Sequence, residues 1–185
     1  MERTGSRRAA AAHTSPVACG APRRPGRAFI RLGPAVGCEN SAVSGWRRQA
    51  VIDAPVEVVW DLVGDPNRHP EWFPRVLEVS DLERVEQDAR FRQVTRSLVG
   101  TMETTLAIEE VEELRAINMR CLDTGTYVRF LLTQAQEGTF ADIEIGMEPA
   151  RLSDRVFDLT IGKRYFRRWT DDAVDGLASA VQTEK

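Results

Sequence analysis

From residue 44 onward the chain changes its hydrophobic period several times, and each change marks an element. Trp46, Ala50 and Ile52 alternate with polar neighbours, which predicts a strand over 44–53. Asp53 as N-cap and Pro55 near the first helical position then open a helix. In it Val56, Val59, Trp60 and Val63 recur at helical spacing, with Glu57 and Asp61 on the opposite side. Gly64-Asp65-Pro66 ends that helix. A second short helix or turn over 67–73 carries His69, Trp72 and Phe73, and Pro74 stops it.

The period then becomes two for some seventy residues. Strands are predicted near 75–85, 89–98, 101–112, 115–123, 126–136 and 138–148, separated by turn signals at Gln87-Asp88, Gly100, Gly125 and Glu137-Gly138. Met102, Thr104, Leu106 and Ile108 share a face. So do Ile117, Met119 and Cys121, then Val128, Phe130 and Leu132, and most cleanly Ala141, Ile143, Ile145 and Met147. One apolar and one charged face imply an antiparallel sheet covered on one side. The cover comes last: over 151–182 Leu152, Val156, Leu159, Phe166, Trp169, Ala173, Leu177 and Val181 follow a helical period, with Gly162 as a break or bend. The expected fold is α+β: a curved antiparallel sheet of about seven strands wrapped on a long C-terminal helix, with two short helices after the first strand. A sheet curled over one helix leaves room for a cavity between them, and the short helices would stand at one end of it.

Charge divides the chain. Residues 1–40 hold seven Arg and two Glu, which leaves 18 basic and 26 acidic residues in 41–185, a net of −8. The first stretch is rich in Arg, Ala and Pro and shows no period, so two parts are expected: a disordered tail over 1–40, or an over-extended gene start with Val36 or Val43 as the true origin, and a folded domain over 41–185. Ser6-Arg7-Arg8 and Val17-Ala18-Cys19 faintly suggest export signals, but the apolar run between them is too short. The acidic domain argues against nucleic acid as a partner. No run approaches the roughly 20 apolar residues of a membrane span. Three cysteines, two of them in the tail, form no disulfide framework, and a reducing, cytoplasmic setting fits. With two histidines and no ligand spacing, neither a metal nor a cofactor is expected.

Candidate chemistry is sparse. Sheet parity turns Gln93 and Thr95, beside Phe91, toward the apolar face with Thr104 and Cys121; a one-residue slip would reverse this. Tyr127 and Arg129 are expected at a solvated or edge position, Cys121 as a small buried hydrophobe, and His69 as a lone surface histidine rather than an acid or base. Tyr165, Phe166 and Trp169 read as core or cavity lining. The run KRYFRR at 163–168 reads as a solvated helix face before a membrane or RNA patch.

The segments VIDAPVEVVWDLVGDPNRHPEWFP, ARFRQV and GTFADIEIGMEP, with the final helix, resemble the polyketide cyclase/dehydrase-like branch of the START-like (SRPBCC) superfamily over about 44–182. The resemblance implies the helix-grip fold and a deep cavity for a hydrophobic small molecule such as a lipid, isoprenoid or polyketide. Trp72 and Phe73 then fall at the turn by the cavity mouth, either capping the core or touching a ligand. The cavity candidates are Trp60, Trp72, Phe73, Phe91, Gln93, Met102, Leu106, Met119, Cys121, Phe130, Ile143, Ile145, Phe166 and Trp169. Binding of a hydrophobic ligand is the first expectation. A polyketide cyclase, aromatase or dehydratase and a protein-interaction module are the alternatives, since this fold alone does not fix function.

Overall fold

The computed structural model describes residues 31–32, 44–97, 100–148 and 162–183. Eight antiparallel strands form one open sheet: β1 (Arg31–Leu32), β2 (Ser44–Ile52), β3 (Val76–Ser80), β4 (Arg90–Ser97), β5 (Gly100–Glu112), β6 (Ala116–Cys121), β7 (Thr126–Ala135) and β8 (Gly138–Met147). Between β2 and β3 lie α1 (Val56–Val63), a 3-10 turn (Pro66–Arg68) and α2 (His69–Trp72); α3 (Lys163–Thr183) comes last. The order across the sheet is β1-β2-β8-β7-β6-β5-β4-β3, so β3 to β8 form a meander and β2 closes onto the far edge of it. The seven longer strands and the helix-grip arrangement are those the hydrophobic period predicts. Strand β1 falls inside the stretch 1–40, where two residues are too few to show any period. The helical positions predicted over 151–161 lie outside the described residues.

Two boundaries differ from expectation. The N-cap position of α1 is Pro55, not Asp53. Its first intrahelical bond, from Val59 N–H, ends on the Pro55 carbonyl, and the Val56 N–H points to Gln134 Oε1 at 3.4 Å. The cap thus comes from across the fold. Strand β3 ends at Ser80, five residues early, because Asp81 takes a φ of 65° that an extended strand cannot continue through.

The apolar faces of the strands align in rows. Trp46, Ile145, Val128, Met119 and Ile108 lie side by side across five strands, as do Arg48, Ile143, Phe130 and Ile117 across four. Helix α3 lays Phe166, Trp169, Ala173, Val174, Leu177 and Val181 on this face, and its principal sheet contacts are with β2 and β8. Gly176 brings α3 onto the turn after α2: a Cβ there would stand 2.2 Å from the Trp72 carbonyl oxygen and 3.3 Å from Pro74 Cδ. In an ordinary helix interior Gly→Ala gains about 1 kcal/mol. Here the clash is with backbone, so Gly176→Ala is expected to lose about 1–3 kcal/mol instead. The sign of the shift in denaturant midpoint decides between the two.

Candidate functional site

The turn that joins α2 to β3 explains the paired aromatics. Proline at 70 and 74 limits α2 to one turn, and within it His69, Trp72 and Phe73 stand at i, i+3 and i+4 on one face. All three are buried. The Trp72 indole donates to the Leu62 carbonyl at 2.8 Å, which ties α2 to α1. Phe73 stacks between Trp72 and Trp169, with ring centres 5.2 and 5.9 Å away, and Phe130 from β7 meets both Trp72 and Phe73 edge-on. On the other side Trp169 donates to the Pro74 carbonyl at 3.2 Å. The Arg75 guanidinium covers Tyr165 at 4.6 Å from the ring centre. An unbroken aromatic wall therefore runs from α2 through β7 to α3.

His69 corrects an expectation. It is not a surface residue: none of it is exposed, and it touches the rings of Trp72, Phe73 and Phe130. Its Nε2–H donates to the Val63 carbonyl at 3.2 Å, and its buried Nδ1 has no hydrogen-bond partner among the described residues. Desolvation disfavours the imidazolium and lowers the pKa to about 4, against smaller opposing effects of the Val63 carbonyl and the Asp65 charge.

Beyond that wall the inner face continues onto β4, β5 and β6, away from the principal contacts of α3. Phe91, Leu106 and Cys121 form one row across it, Gln93 and Thr104 the next, and Thr95 and Met102 the last. Gln93, Thr95 and Thr104 are all buried. Gln93 Nε2 donates to Thr95 Oγ1 at 2.9 Å, and Thr104 Oγ1 lies 3.4 Å from the Gln93 carbonyl. Met102 has the expected parity but is 41% exposed, because it stands near the end of β5 by the β4–β5 turn. At Met102 this corner of the inner face reaches solvent. Cys121 is a buried free thiol in the apolar row. Of the other candidates, Met119, Phe130, Ile143, Ile145 and Phe166 are fully enclosed in the core, while Trp60 is half-buried on α1, where Leu62 takes the inward position.

Tyr127 belongs to the outer face and is buried there, contrary to the solvated position expected of it. It lies over two glycines on neighbouring strands: a Cβ on Gly45 or on Gly146 would stand 2.5 Å from its hydroxyl. That hydroxyl donates to Glu144 Oε1 at 2.8 Å, and the Arg129 guanidinium covers the ring at 4.5 Å. Beside it Asp142 accepts from Arg47 Nε at 2.7 Å and from Gln49 at 2.8 Å. The outer face is thus a satisfied polar network. Among the described residues no group of His, Cys, Asp and Glu is placed to hold a metal ion, and no helix is long and apolar enough to cross a membrane.

Comparison with known proteins fits this architecture. No curated protein matches the chain by sequence. Solved structures do match in fold. A protein from Thermus thermophilus superposes with a TM-score of 0.63 at 16% identity, over 76% of this chain and 99% of its own. The AHSA1-like protein from Aeromonas hydrophila gives 0.55 at 17% identity, over 76% and 93%. The di-domain ARO/CYC StfQ from the steffimycin biosynthetic pathway gives 0.59 at 17% identity, over 76% of this chain and 50% of that one. The model of the family described as polyketide cyclase / dehydrase and lipid transport matches residues 46–182, from the first long strand to the end of the last helix. The chain belongs to that polyketide cyclase/dehydrase family of the SRPBCC fold.

Proposed function

We propose that this protein binds a hydrophobic small molecule against the inner face of β4–β6, with its polar end toward Gln93, Thr95 and Thr104. The observation that carries the reading is the placing of those three side chains. They are buried polar groups at one corner of an otherwise apolar surface, outside the main footprint of α3. Ligand sites of this kind combine a mostly apolar lining with a few polar groups that fix orientation. Family membership supports the same reading.

Native mass spectrometry of the full-length protein, followed by organic extraction, tests it. A co-purifying lipid, isoprenoid or polyketide is the expected result. Thr104→Trp, which fills the corner, is expected to weaken uptake of a fluorescent apolar probe by about tenfold, or about 1.4 kcal/mol. A protein that carries nothing and takes up no probe would overturn the proposal.

A second reading, ring closure or dehydration of a polyketide, is favoured by the same trio. A buried Thr hydroxyl and Gln amide can hold a developing enolate. If turnover occurs, Gln93→Leu is expected to lower its rate more than it lowers binding.

A further inference from the structure

Residues 163–168 of α3 carry a charge pattern that repels itself. Lys163, Arg164, Arg167 and Arg168 occupy four of its first six positions, with no acidic residue in the first turn. The pairs 163/167 and 164/168 set like charges four residues apart, where they repel. All four are exposed, and together with Trp46, Asp171 and Asp172 they line one open pocket of about 690 Å³.

The two carboxylates in that pocket are already engaged. Asp171 lies 3.4 Å from Arg48 and 3.8 Å from Arg167, and Asp172 lies 3.9 Å from Arg75. Lys163, Arg164 and Arg168 have no ion-pair partner among the described residues. Four cations thus line the pocket against two anions, in a domain whose residues 41–185 carry a net −8. Trp46 forms a wall of the pocket with Arg167 over its ring at 5.5 Å, and its buried Nε1 has no hydrogen-bond partner among the described residues.

We infer that this pocket binds a phosphate-class polyanion. Several guanidinium groups give the forked donors that phosphate oxygens accept, and a multiply charged anion relieves the i,i+4 repulsion. A phospholipid headgroup and a soluble phosphate ester share this chemistry. The inference does not depend on what occupies the inner face of the sheet.

The test uses the full-length chain and its Arg164→Glu/Arg168→Glu variant at about 0.1 M salt, where long-range attraction is screened. One arm titrates inorganic pyrophosphate by calorimetry. The other measures cosedimentation with phosphatidylglycerol-containing vesicles against vesicles of phosphatidylcholine alone. The wild type is expected to bind at least one anionic probe, and the variant to bind it about tenfold or more weakly. Both altered positions are exposed on the helix surface. The thermal midpoint of the variant without anion is therefore expected to stay within about 3 °C of the wild type, whereas damage to the fold would lower it further. Pyrophosphate binding supports a soluble ester, and binding to anionic vesicles without pyrophosphate supports a headgroup. The inference is overturned if the wild type binds neither probe. It is equally overturned if the variant binds as tightly, which would assign the attraction to the seven arginines of residues 1–40.

Discussion

Trp72→Ala is expected to destabilise the protein by about 3–5 kcal/mol, a fall of about 10 °C in thermal midpoint for a chain of this length. Trp72 is buried, it stacks on Phe73, and Phe130 packs against its edge. Its removal opens a void where α1, α2 and β7 meet. Trp72→Phe keeps most of the ring but leaves the Leu62 carbonyl without its donor, so a smaller loss of about 1–3 kcal/mol is expected. Thermal and denaturant unfolding of the two variants checks the order. A side chain whose only work is to touch a ligand at the mouth would behave otherwise: truncation would shift stability by no more than about 0.5 kcal/mol while abolishing probe uptake.

The second large effect is on pH. The imidazole of His69 titrates at about 6.5 in the unfolded chain and at about 4 in the fold, because burial among three aromatic rings penalises the charge. Above pH 6.5 both states are neutral and the fold keeps its full stability. Between 6.5 and about 4 the unfolded chain binds the proton first, so stability falls with pH, by about 3 kcal/mol over the whole window. Below about 4 both states are charged and this source of loss ends. His69→Leu is expected to remove that part of the slope. Denaturant titrations at several pH values measure the difference. An unchanged slope across that window would mean that His69 is charged, or open to water, in the fold.

The contrast between His69 and the strands shows what is legible in the sequence. Alternation names the seven longer strands and the inner faces of most of them, because one buried side forces a period of two. The same parity finds Gln93, Thr95 and Thr104, although they are polar. It misplaces His69, whose chain neighbours Asn67 and Arg68 are polar and flanked by prolines. The signal that could find it is its spacing to Trp72 and Phe73, i+3 and i+4, which is a helical face even in a single turn. Tyr127 is harder. Its burial rests on Gly45 and Gly146, and only the pairing of β2 with β8 and of β8 with β7 brings those glycines together. The exposure of Met102 follows from its place near a strand end, which parity does not register.

That pairing of β2 with β8 has a consequence during synthesis. Ser44 pairs with Met147 and Ile52 with Thr139, so the strand made first among the longer ones has no sheet partner along most of its length until the last one emerges. At cellular elongation rates that interval is on the order of ten seconds. The hairpins from β3 to β7 can form as they leave the ribosome. Trp46, Ala50 and Ile52 meanwhile remain uncovered on a nascent chain, and a chaperone that holds extended apolar segments would find its best target there.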